Sequence, residues 1–371
     1  MKCADVNNHW DDYINGRCSK QLEQEMDAHI EQCTSCEARL EANAVSEQPL
    51  PNEQDLKKKG KKLIRNAKIK NRLSSFGTFI MLFIALLLLS SLITGIYYTW
   101  NDKIERARLV HQTFFQMTNA NVILQNGIAN TTPFFTVKYE FDIEKKVGKE
   151  QHNLGDLHPS LFFNRFNYVS YPDSVSTNNL YFLNRNIDAD YSTYKTAWDT
   201  LDKLHEGTVS EVAVTFTESL TYKQLLSILM NYDIDLTWAG IETDRFEAYE
   251  YEMMYVGADV IGMNERSLFD LMNTYGVNGI GDTDDKIREQ IVKDSLNYLI
   301  DNKRYLKHLN RMYPFNALDA EAAIAYIEEN GVNLYGAILT GPTKELLKLQ
   351  NEEKILFATM GEVDFWNWDN W

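Results

Sequence analysis

The stretch FGTFIMLFIALLLLSSLITGIYYTW, residues 76–100, decides how this chain is organised, since it contains no charged residue from its first position to its last. A helix of about 20 apolar residues crosses the hydrocarbon core of a bilayer and satisfies its own backbone hydrogen bonds there. The stretch begins too late and is too long for a signal peptide. We therefore expect one transmembrane helix, with Tyr97, Tyr98 and Trp100 at the headgroups.

The charges on either side of this stretch predict its direction. Residues 57–72 carry nine Lys and Arg and no acid, whereas residues 102–108 are nearly balanced. Because the basic flank of a span stays in the cytoplasm, we expect the N-terminus inside and the large C-terminal part outside. The basic run also fits contact with anionic lipid. The net charge is -16, and residues 101–371 hold 24 bases against 41 acids, which argues against direct nucleic-acid binding.

The cysteines lie only in the part predicted to be cytoplasmic: Cys3, Cys18, Cys33 and Cys36. Such clustering in a reducing compartment favours a metal site over disulfides. His29, Cys33 and Cys36 are spaced i, i+4 and i+7, which places them on one face of a helix or at its end. Imidazole nitrogen and thiolate sulfur suit tetrahedral zinc, and a module this small benefits from a metal.

The fourth ligand of such a site is open among three residues. Cys3 is favoured, because it begins the first predicted helix and would lie beside the second. His9 is one alternative and Cys18 another. A different interpretation makes the cysteines small apolar core residues and leaves His29 exposed.

The N-terminal module resembles the zinc-containing anti-sigma domain of bacterial regulators. The resemblance rests on Cys3, Tyr13-Ile14-Asn15-Gly16, Ala28-His29-Ile30, Cys33 and Cys36. It implies one structural zinc held by Cys3, His29, Cys33 and Cys36. Cys18 departs from the family, which usually has an apolar residue there. A small buried thiol would fill that position, and a redox-responsive role is the alternative.

The same resemblance implies a partner. Such domains bind an extracytoplasmic-function sigma factor and hide its surfaces from core RNA polymerase or promoter DNA, through amphipathic helices that lie in grooves. Leu22, Met26, Ile30 and Leu40 are the candidate sigma-binding residues. They serve equally well as the module's own core.

The part after the span shows two kinds of secondary-structure pattern. Residues 103–125 are predicted to be helical, and alternating aromatic and β-branched residues then favour strands up to about residue 190. Further on, two strand–helix–strand patterns begin at VAVTF and at YGAILTG. These predict one split α/β sandwich with helices 283–311 and 318–330 inserted between the two halves.

This outer part resembles the C-terminal domain of the sigma factor regulator family. The resemblance rests on Ala197-Trp198, Leu201 and the run from Leu204 to Val212. The order of module, span and outer domain also matches that family, and anti-sigma-M type regulators of Gram-positive bacteria are the group it most resembles. The implied function is a membrane-anchored anti-sigma factor whose outer domain senses envelope state, alone or with a second membrane protein.

The predicted fold class is a multi-domain α+β membrane protein. Its predicted parts are a small all-α zinc module (1–42), a linker and basic juxtamembrane stretch (43–75), the transmembrane helix (76–100), a β-rich subdomain (101–190) and an α/β sandwich sensor domain (191–371).

Enzymatic activity is not predicted. The outer part lacks a cysteine nucleophile, a Gly-x-Ser-x-Gly motif and histidines at metal-ligand spacing. The Gly-rich stretch GVNGIG at 276–281 follows no clear strand, and DTDDK at 282–286 is typical of a helix start. Trp366, Trp368 and Trp371 are interpreted as a final strand and tail, or as a contact with a membrane partner or wall carbohydrate.

Two other functions compete with the anti-sigma hypothesis. One is an envelope sensor or scaffold whose zinc module recruits a different cytoplasmic protein. The other is an outer-surface hydrolase that uses a pair of carboxylates and carries a regulatory tail.

Overall fold

The computed structural model describes residues 1–44, 53–167, 180–187, 194, 196–248, 250–266 and 285–366. These separate into two compact units, Met1–Phe83 and Ile84–Trp371. The predictions for the glycine-rich stretch at 276–281 and for Trp368 and Trp371 lie outside the described residues.

The first unit begins with four short helices: α1 (Cys3–Asn8), α2 (Trp10–Ile14), α3 (Lys20–Ile30) and α4 (Thr34–Ala44). Gly16 ends the first pair, with a φ of 65° that suits glycine. Ser19 caps α3, since its Oγ accepts a hydrogen bond from the backbone N–H of Leu22 at 3.4 Å. The helices enclose a small core in which Val6 and Trp10 are buried.

The predicted membrane segment lies in one helix, α5 (Glu53–Thr99), which is long and apolar enough to cross a membrane. It begins inside the stretch predicted as a linker, so the basic run is helical and continuous with the apolar run. Asn101 and Asp102 then take left-handed backbone conformations, with φ of 58° and 48°. Asn and Asp tolerate this conformation better than most residues, and the helix therefore breaks here.

The second unit starts with α6 (Lys103–Thr118) and a first antiparallel sheet. Its strands are β1 (Val122–Thr132), β2 (Thr136–Val147), β3 (Glu150–Leu157), β4 (Ser160–Phe162) and β5 (Arg165–Phe166). The predicted helix over residues 103–125 is wrong at its end. Asn121 has a φ of 52°, and the apolar residues after it pair with β2 instead, Val122 opposite Lys145.

The second sheet has the order β10-β8-β11-β7-β12, and every described pairing is antiparallel. The strands are β7 (Thr208–Leu220), β8 (Asp235–Ile241), β10 (Gly262–Asn264), β11 (Leu334–Pro342) and β12 (Ile355–Phe365). Helix α8 (Tyr222–Leu229) links β7 to β8, and α13 (Thr343–Lys348) links β11 to β12. The two halves interleave, since β11 lies between β8 and β7. This is the split strand–helix–strand arrangement that the repeated pattern predicts.

The remaining elements surround these sheets. They are β6 (Tyr181–Leu183), α7 (Trp198–Lys203), α9 (Arg245–Ala248), β9 (Met253–Tyr255), α10 (Asp285–Asp301), α11 (Lys303–Met312) and α12 (Ala320–Asn330). Helices α10 to α12 occupy the position predicted for the inserted helices.

One hydrophobic core joins the two sheets of the second unit. Phe114 of α6, Phe141 of β2, Val214 of β7 and Ile291 of α10 are all fully buried in it. Residues on both sides of the predicted boundary at 190 thus share their packing. The boundaries at residues 42, 75, 100 and 190 stay predictions.

Candidate metal centre

Three helices of the first unit and the turn between the last two bring four metal-binding side chains together, Cys3, His29, Cys33 and Cys36, which we call the ligand group. Cys3 is the first residue of α1, His29 lies in the last turn of α3, and Cys36 lies in the first turn of α4. Helix α3 ends at Ile30, so His29, Cys33 and Cys36 do not share one helix face. Cys33 lies instead in the tight turn between α3 and α4, and its carbonyl accepts from the Cys36 N–H at 3.0 Å.

The donor atoms lie close enough to hold one ion. The Sγ atoms of Cys3, Cys33 and Cys36 and an imidazole nitrogen of His29 all lie within 4.8 Å of one another. Cys3 Sγ is 3.5 Å from His29 Nε2 and 3.6 Å from Cys33 Sγ. Tetrahedral zinc with Zn–S bonds near 2.3 Å places its sulfur ligands about 3.8 Å apart. The number, type and spacing of the donors therefore fit a closed structural zinc site.

The electrostatics of the turn favour a thiolate at Cys33. The backbone N–H of Cys36, followed by the thiol of Cys3 and the N–H of Ser35, lowers the Cys33 pKa to about 6. The hydrogen bond with Cys33 in turn raises the pKa of Cys3. Since a metal ligand must be deprotonated, Cys33 loses its proton for metal binding more readily than Cys3 does.

Side-chain contacts outside the ligand group hold the helices together. The Tyr13 hydroxyl donates to Asp27, joining α2 to α3. Arg39 of α4 donates to Asn7 of α1 and places its guanidinium 4.5 Å from the centre of the Trp10 ring. These contacts align the helices that supply the four ligands.

The structure separates the three candidates for the fourth ligand. Among the described residues, Cys3 lies in the ligand group, whereas His9 and Cys18 do not. His9 is exposed between α1 and α2. Cys18 is half-buried against the module's core, and burial is the first cause that raises its pKa. This placement fits the apolar role predicted for Cys18.

The candidate sigma-binding residues divide into two pairs. Met26 and Ile30 are buried in the module's own core, whereas Leu22 and Leu40 are half-buried at its edge. The first pair therefore stabilises the module, and the second pair keeps part of its surface accessible; sigma binding by these residues stays a prediction.

Sequence reasoning missed a buried ionic group in the second unit. Lys145 of β2 lies 2.8 Å from Glu211 of β7 and 3.0 Å from Glu362 of β12, and Asn121 donates to Glu211 at 2.6 Å. Burial lowers the pKa of Lys145, but the carboxylates of Glu211 and then Glu362 outweigh it, and the net pKa is raised. The partners lie far apart in the chain, so no local spacing signals this group.

Comparison with known proteins finds two family models and one relative that match this chain. The family model described as sigma factor regulator N-terminal matches residues 61–152, and the one described as sigma factor regulator C-terminal matches residues 201–362. The protein named "Probable anti-sigma-M factor YhdL" from Bacillus subtilis (strain 168) is 27% identical over 385 residues, which cover 99% of this chain and 100% of that protein. No solved structure matches the chain significantly.

Proposed function

Since this chain belongs to the sigma factor regulator family and is an anti-sigma factor, we propose that its N-terminal module sequesters an extracytoplasmic-function sigma factor at the cytoplasmic face of the membrane. The relative from Bacillus subtilis is named for sigma-M, which supports a sigma factor of that kind as the partner. The role is one of binding, and the proposal includes no reaction.

The observation that carries the proposal is the convergence of Cys3, His29, Cys33 and Cys36. We propose that a structural zinc, when bound there, ties α1 to α3 and α4. Classical zinc modules of this size depend on their metal for folding. A partner surface at Leu22 and Leu40 would then be preorganised, since the helices that carry these residues are held in place.

The charge of the module supports this partner. Residues 1–56 hold 4 bases against 12 acids. A sigma factor has to present basic surface to DNA phosphates, and an acidic module is complementary to such a surface. The proposed complex would hide the surface that the promoter needs.

The membrane orientation follows from the flanks of α5. With the nine bases of residues 57–72 retained inside, the module is cytoplasmic and the second unit is outside. A signal outside would reach the module either through a shift in the population of its binding-competent form or through cleavage of the chain.

The test is affinity capture of the full-length tagged chain from solubilised membranes of the source cell, with mass spectrometry as readout. We expect one sigma factor to be enriched. His29→Ala and Cys33→Ser should lower its recovery at least about tenfold, because loss of a structural ligand unfolds the module. His9→Ala is the matched control, since it removes an exposed histidine outside the group.

Two outcomes would count against the proposal. Capture of a different cytoplasmic protein without any sigma factor would favour a sensor or scaffold. Equal recovery of the sigma factor by His29→Ala and by the wild type would separate sigma binding from the metal site. Deletion of residues 1–42 should in addition raise transcription of one sigma-dependent set of genes.

A further inference from the structure

Two turns of the first sheet are fastened to the last turns of α5. The backbone N–H of Phe134 donates to Ser90 Oγ at 2.8 Å, and that of Phe135 donates to Thr94 Oγ1 at 2.9 Å. The hydroxyl of Tyr98 lies 2.8 Å from the carbonyl oxygen of Phe135. The same hydroxyl is 3.3 Å and 3.2 Å from two carbonyl oxygens of the β4–β5 segment, those of Leu161 and Phe163.

These two turns present a cluster of four phenylalanines, Phe134, Phe135, Phe162 and Phe163, which we call the aromatic tip. The rings of Phe135 and Phe163 stack at 4.5 Å, and Tyr97 of α5 meets both of them edge-on at 5.4 and 5.5 Å. The other two rings point outward, since Phe134 is 50% exposed and Phe162 is 44% exposed.

The backbone of the aromatic tip is strained. Phe134, Phe135 and Phe163 have φ values of 62°, 56° and 54°, a region that bulky residues rarely adopt. Strain of this kind persists where surrounding contacts impose it, and it often occurs at functional sites. Here the hydrogen bonds to Ser90, Thr94 and Tyr98 impose it.

Cations lie directly beside the aromatic tip. Arg165, Arg304, Lys307 and His308 line an open depression of about 410 Å³ together with Phe162 and Phe163, and we call these four residues the basic rim. Burial and then the charges of Arg165, Arg311 and Lys307 lower the pKa of His308, so the cations surround one point. Arg165, Arg304 and Lys307 form no ion pair with any carboxylate of the described chain.

We propose that the aromatic tip inserts into the leaflet where α5 leaves the membrane, and that the basic rim binds the phosphate headgroups of anionic lipids in that leaflet. The occupant is the bilayer itself, because the surface is continuous with the membrane helix. Leu92 and Ile96, on the same stretch of α5, are 62% and 58% exposed, so the turns of α5 that hold the tip also present apolar side chains to their surroundings.

The depth at which the aromatic tip contacts α5 explains why its backbone groups are hydrogen-bonded to hydroxyls of the helix. Ser90 lies ten residues before Trp100, which is about 15 Å along a helix. With Trp100 at the headgroups, the turn that contacts Ser90 lies at or below the boundary of the acyl chains. Water is scarce there, so exposed backbone groups need partners from the protein. The hydroxyls of Ser90, Thr94 and Tyr98 provide those partners.

The charge contrast identifies the lipid. The outer part as a whole carries 41 acids against 24 bases, so an anionic surface repels most of it. The basic rim is a local exception placed at the membrane. Anionic lipid therefore orients this end of the domain towards the bilayer, and α5 and the first sheet respond together to the state of the leaflet.

The first test measures insertion in the full-length chain, reconstituted in nanodiscs of 30% phosphatidylglycerol and 70% phosphatidylcholine. The photocrosslinker p-benzoylphenylalanine replaces Phe134, Phe162 or, as control, Phe365. The control Phe365 is also an exposed phenylalanine, 82% accessible, but it lies far from the tip. Its neighbour Asp364 has its carboxylate 3.4 Å from His152 Nε2. His152 pairs with Lys145, which lies ten residues and roughly 33 Å along the strand from Phe135 of the tip.

We expect lipid adducts at positions 134 and 162 and none at position 365. Equal adduct yields at all three positions, or no adduct at 134, would overturn the proposal. Because this experiment needs only that α5 spans the membrane, it stands apart from the proposed sigma-factor binding. If capture of a sigma factor failed but lipid adducts formed at position 134, the proposed membrane contact would stand and only the proposed sigma-factor binding would fall.

The second test identifies the headgroup. In the same nanodiscs, mass spectrometry of adducts at position 162 should show a ratio of phosphatidylglycerol to phosphatidylcholine about fivefold above the ratio in the bulk lipid. The double variant Arg304→Glu/Lys307→Glu should return the ratio to that of the bulk. The double variant Lys203→Glu/Lys223→Glu carries the same change in charge on exposed lysines of α7 and α8 and should keep the enrichment. A wild-type ratio equal to the bulk would refute the headgroup site.

Discussion

At the scale of single residues, two polar groups stand out because their partners come from distant parts of the chain. The ligand group joins Cys3 to residues about 30 positions later, and the ionic group joins Lys145 of the first sheet to Glu211 and Glu362 of the second. Both groups tie separate elements together. Their removal should therefore affect folding more than an average surface change does.

The ligand group predicts one bound zinc per chain. Cys33→Ser should abolish the metal and speed hydrogen exchange throughout residues 1–44, because binding of a structural zinc is coupled to folding. Metal analysis of the purified full-length chain and hydrogen exchange by mass spectrometry measure the two effects. His9→Ala should keep both the zinc and the protection, and an unchanged zinc content in Cys33→Ser would rule out this ligand set.

The ionic group predicts a large effect at Lys145, whose side chain is 2% exposed. Lys145→Met should lower the free energy of unfolding of the second unit by about 3–5 kcal/mol, because it leaves Glu211 buried without a counter-charge. Lys149→Met is the matched control. Lys149 pairs with Asp233 at the surface, with 53% and 48% exposure, and such pairs contribute about 1 kcal/mol or less.

Urea unfolding of the full-length chain in detergent, followed by pulse proteolysis, measures both variants. The double variant Lys145→Met/Glu211→Met should regain part of the loss, since no buried charge then lacks its partner. Equal stabilities of Lys145→Met and Lys149→Met would contradict the assignment.

At the scale of elements, α6 and the end of α5 determine how the second unit is attached. The break at Asn101 and Asp102 redirects the chain, and α6 then enters the hydrophobic core with Phe114 and Phe115. The hydroxyl of Tyr98 fastens two turns of the first sheet to α5. Two predictions follow from these helices, one for His111 of α6 and one for Tyr98 of α5.

His111 of α6 predicts acid sensitivity. It is fully buried among Phe141, Phe166 and Tyr313, neither ring nitrogen has a hydrogen-bond partner among the described residues, and burial lowers its pKa to about 3. Below pH 6.5 the unfolded chain binds a proton that the folded chain does not. Stability should therefore fall as the pH drops from about 6.5 towards 3, by about 1.4 kcal/mol per pH unit.

His111→Leu should remove this part of the pH dependence. Unfolding of the full-length chain at pH 7 and pH 5 compares it with His158→Leu, which replaces an exposed histidine of the same unit. We expect the loss of stability at pH 5 to shrink by roughly 2 kcal/mol in His111→Leu only. The same loss in both variants would show that His111 does not cause it.

Tyr98 predicts local coupling between helix and sheet. Tyr98→Phe removes a buried hydroxyl that contacts three carbonyl oxygens, and buried acceptors without a donor cost about 1–3 kcal/mol. Hydrogen exchange in residues 133–135 and 161–163 should rise about tenfold or more. Tyr97→Phe is the control, because the Tyr97 hydroxyl forms no hydrogen bond with the described residues. Equal protection in both variants would show that the hydroxyl does not hold the turns.

At the scale of the whole chain, the shared core of the second unit decides what can fold alone. The two sheets bury residues on both sides of position 190 in one cluster. Residues 191–371 alone would leave the partners of Phe114, Phe115 and Phe141 exposed. We expect residues 101–371 to give near-ultraviolet circular dichroism and cooperative unfolding, and residues 191–371 to give neither. A cooperatively folded 191–371 fragment would support an independent domain from residue 191.

The sequence by itself determined the features that depend on neighbouring residues. The uncharged run and its basic flank predict a span and its direction, because insertion depends on local composition and charge. Ser19, Asn15-Gly16 and the two strand–helix–strand patterns predict elements that the structure contains, because caps, turns and periodicity act over a few residues. The spacing of His29, Cys33 and Cys36 predicts a metal group for the same reason.

Only the tertiary structure decided which distant residues meet. It brings Cys3 rather than His9 to the ligand group, ends α6 at Thr118 so that β1 can pair with β2, and buries Lys145 against Glu211. It also joins the aromatic tip to the end of α5. These contacts depend on packing that satisfies buried backbone and charged groups across the whole chain, and no local pattern of residues encodes that packing.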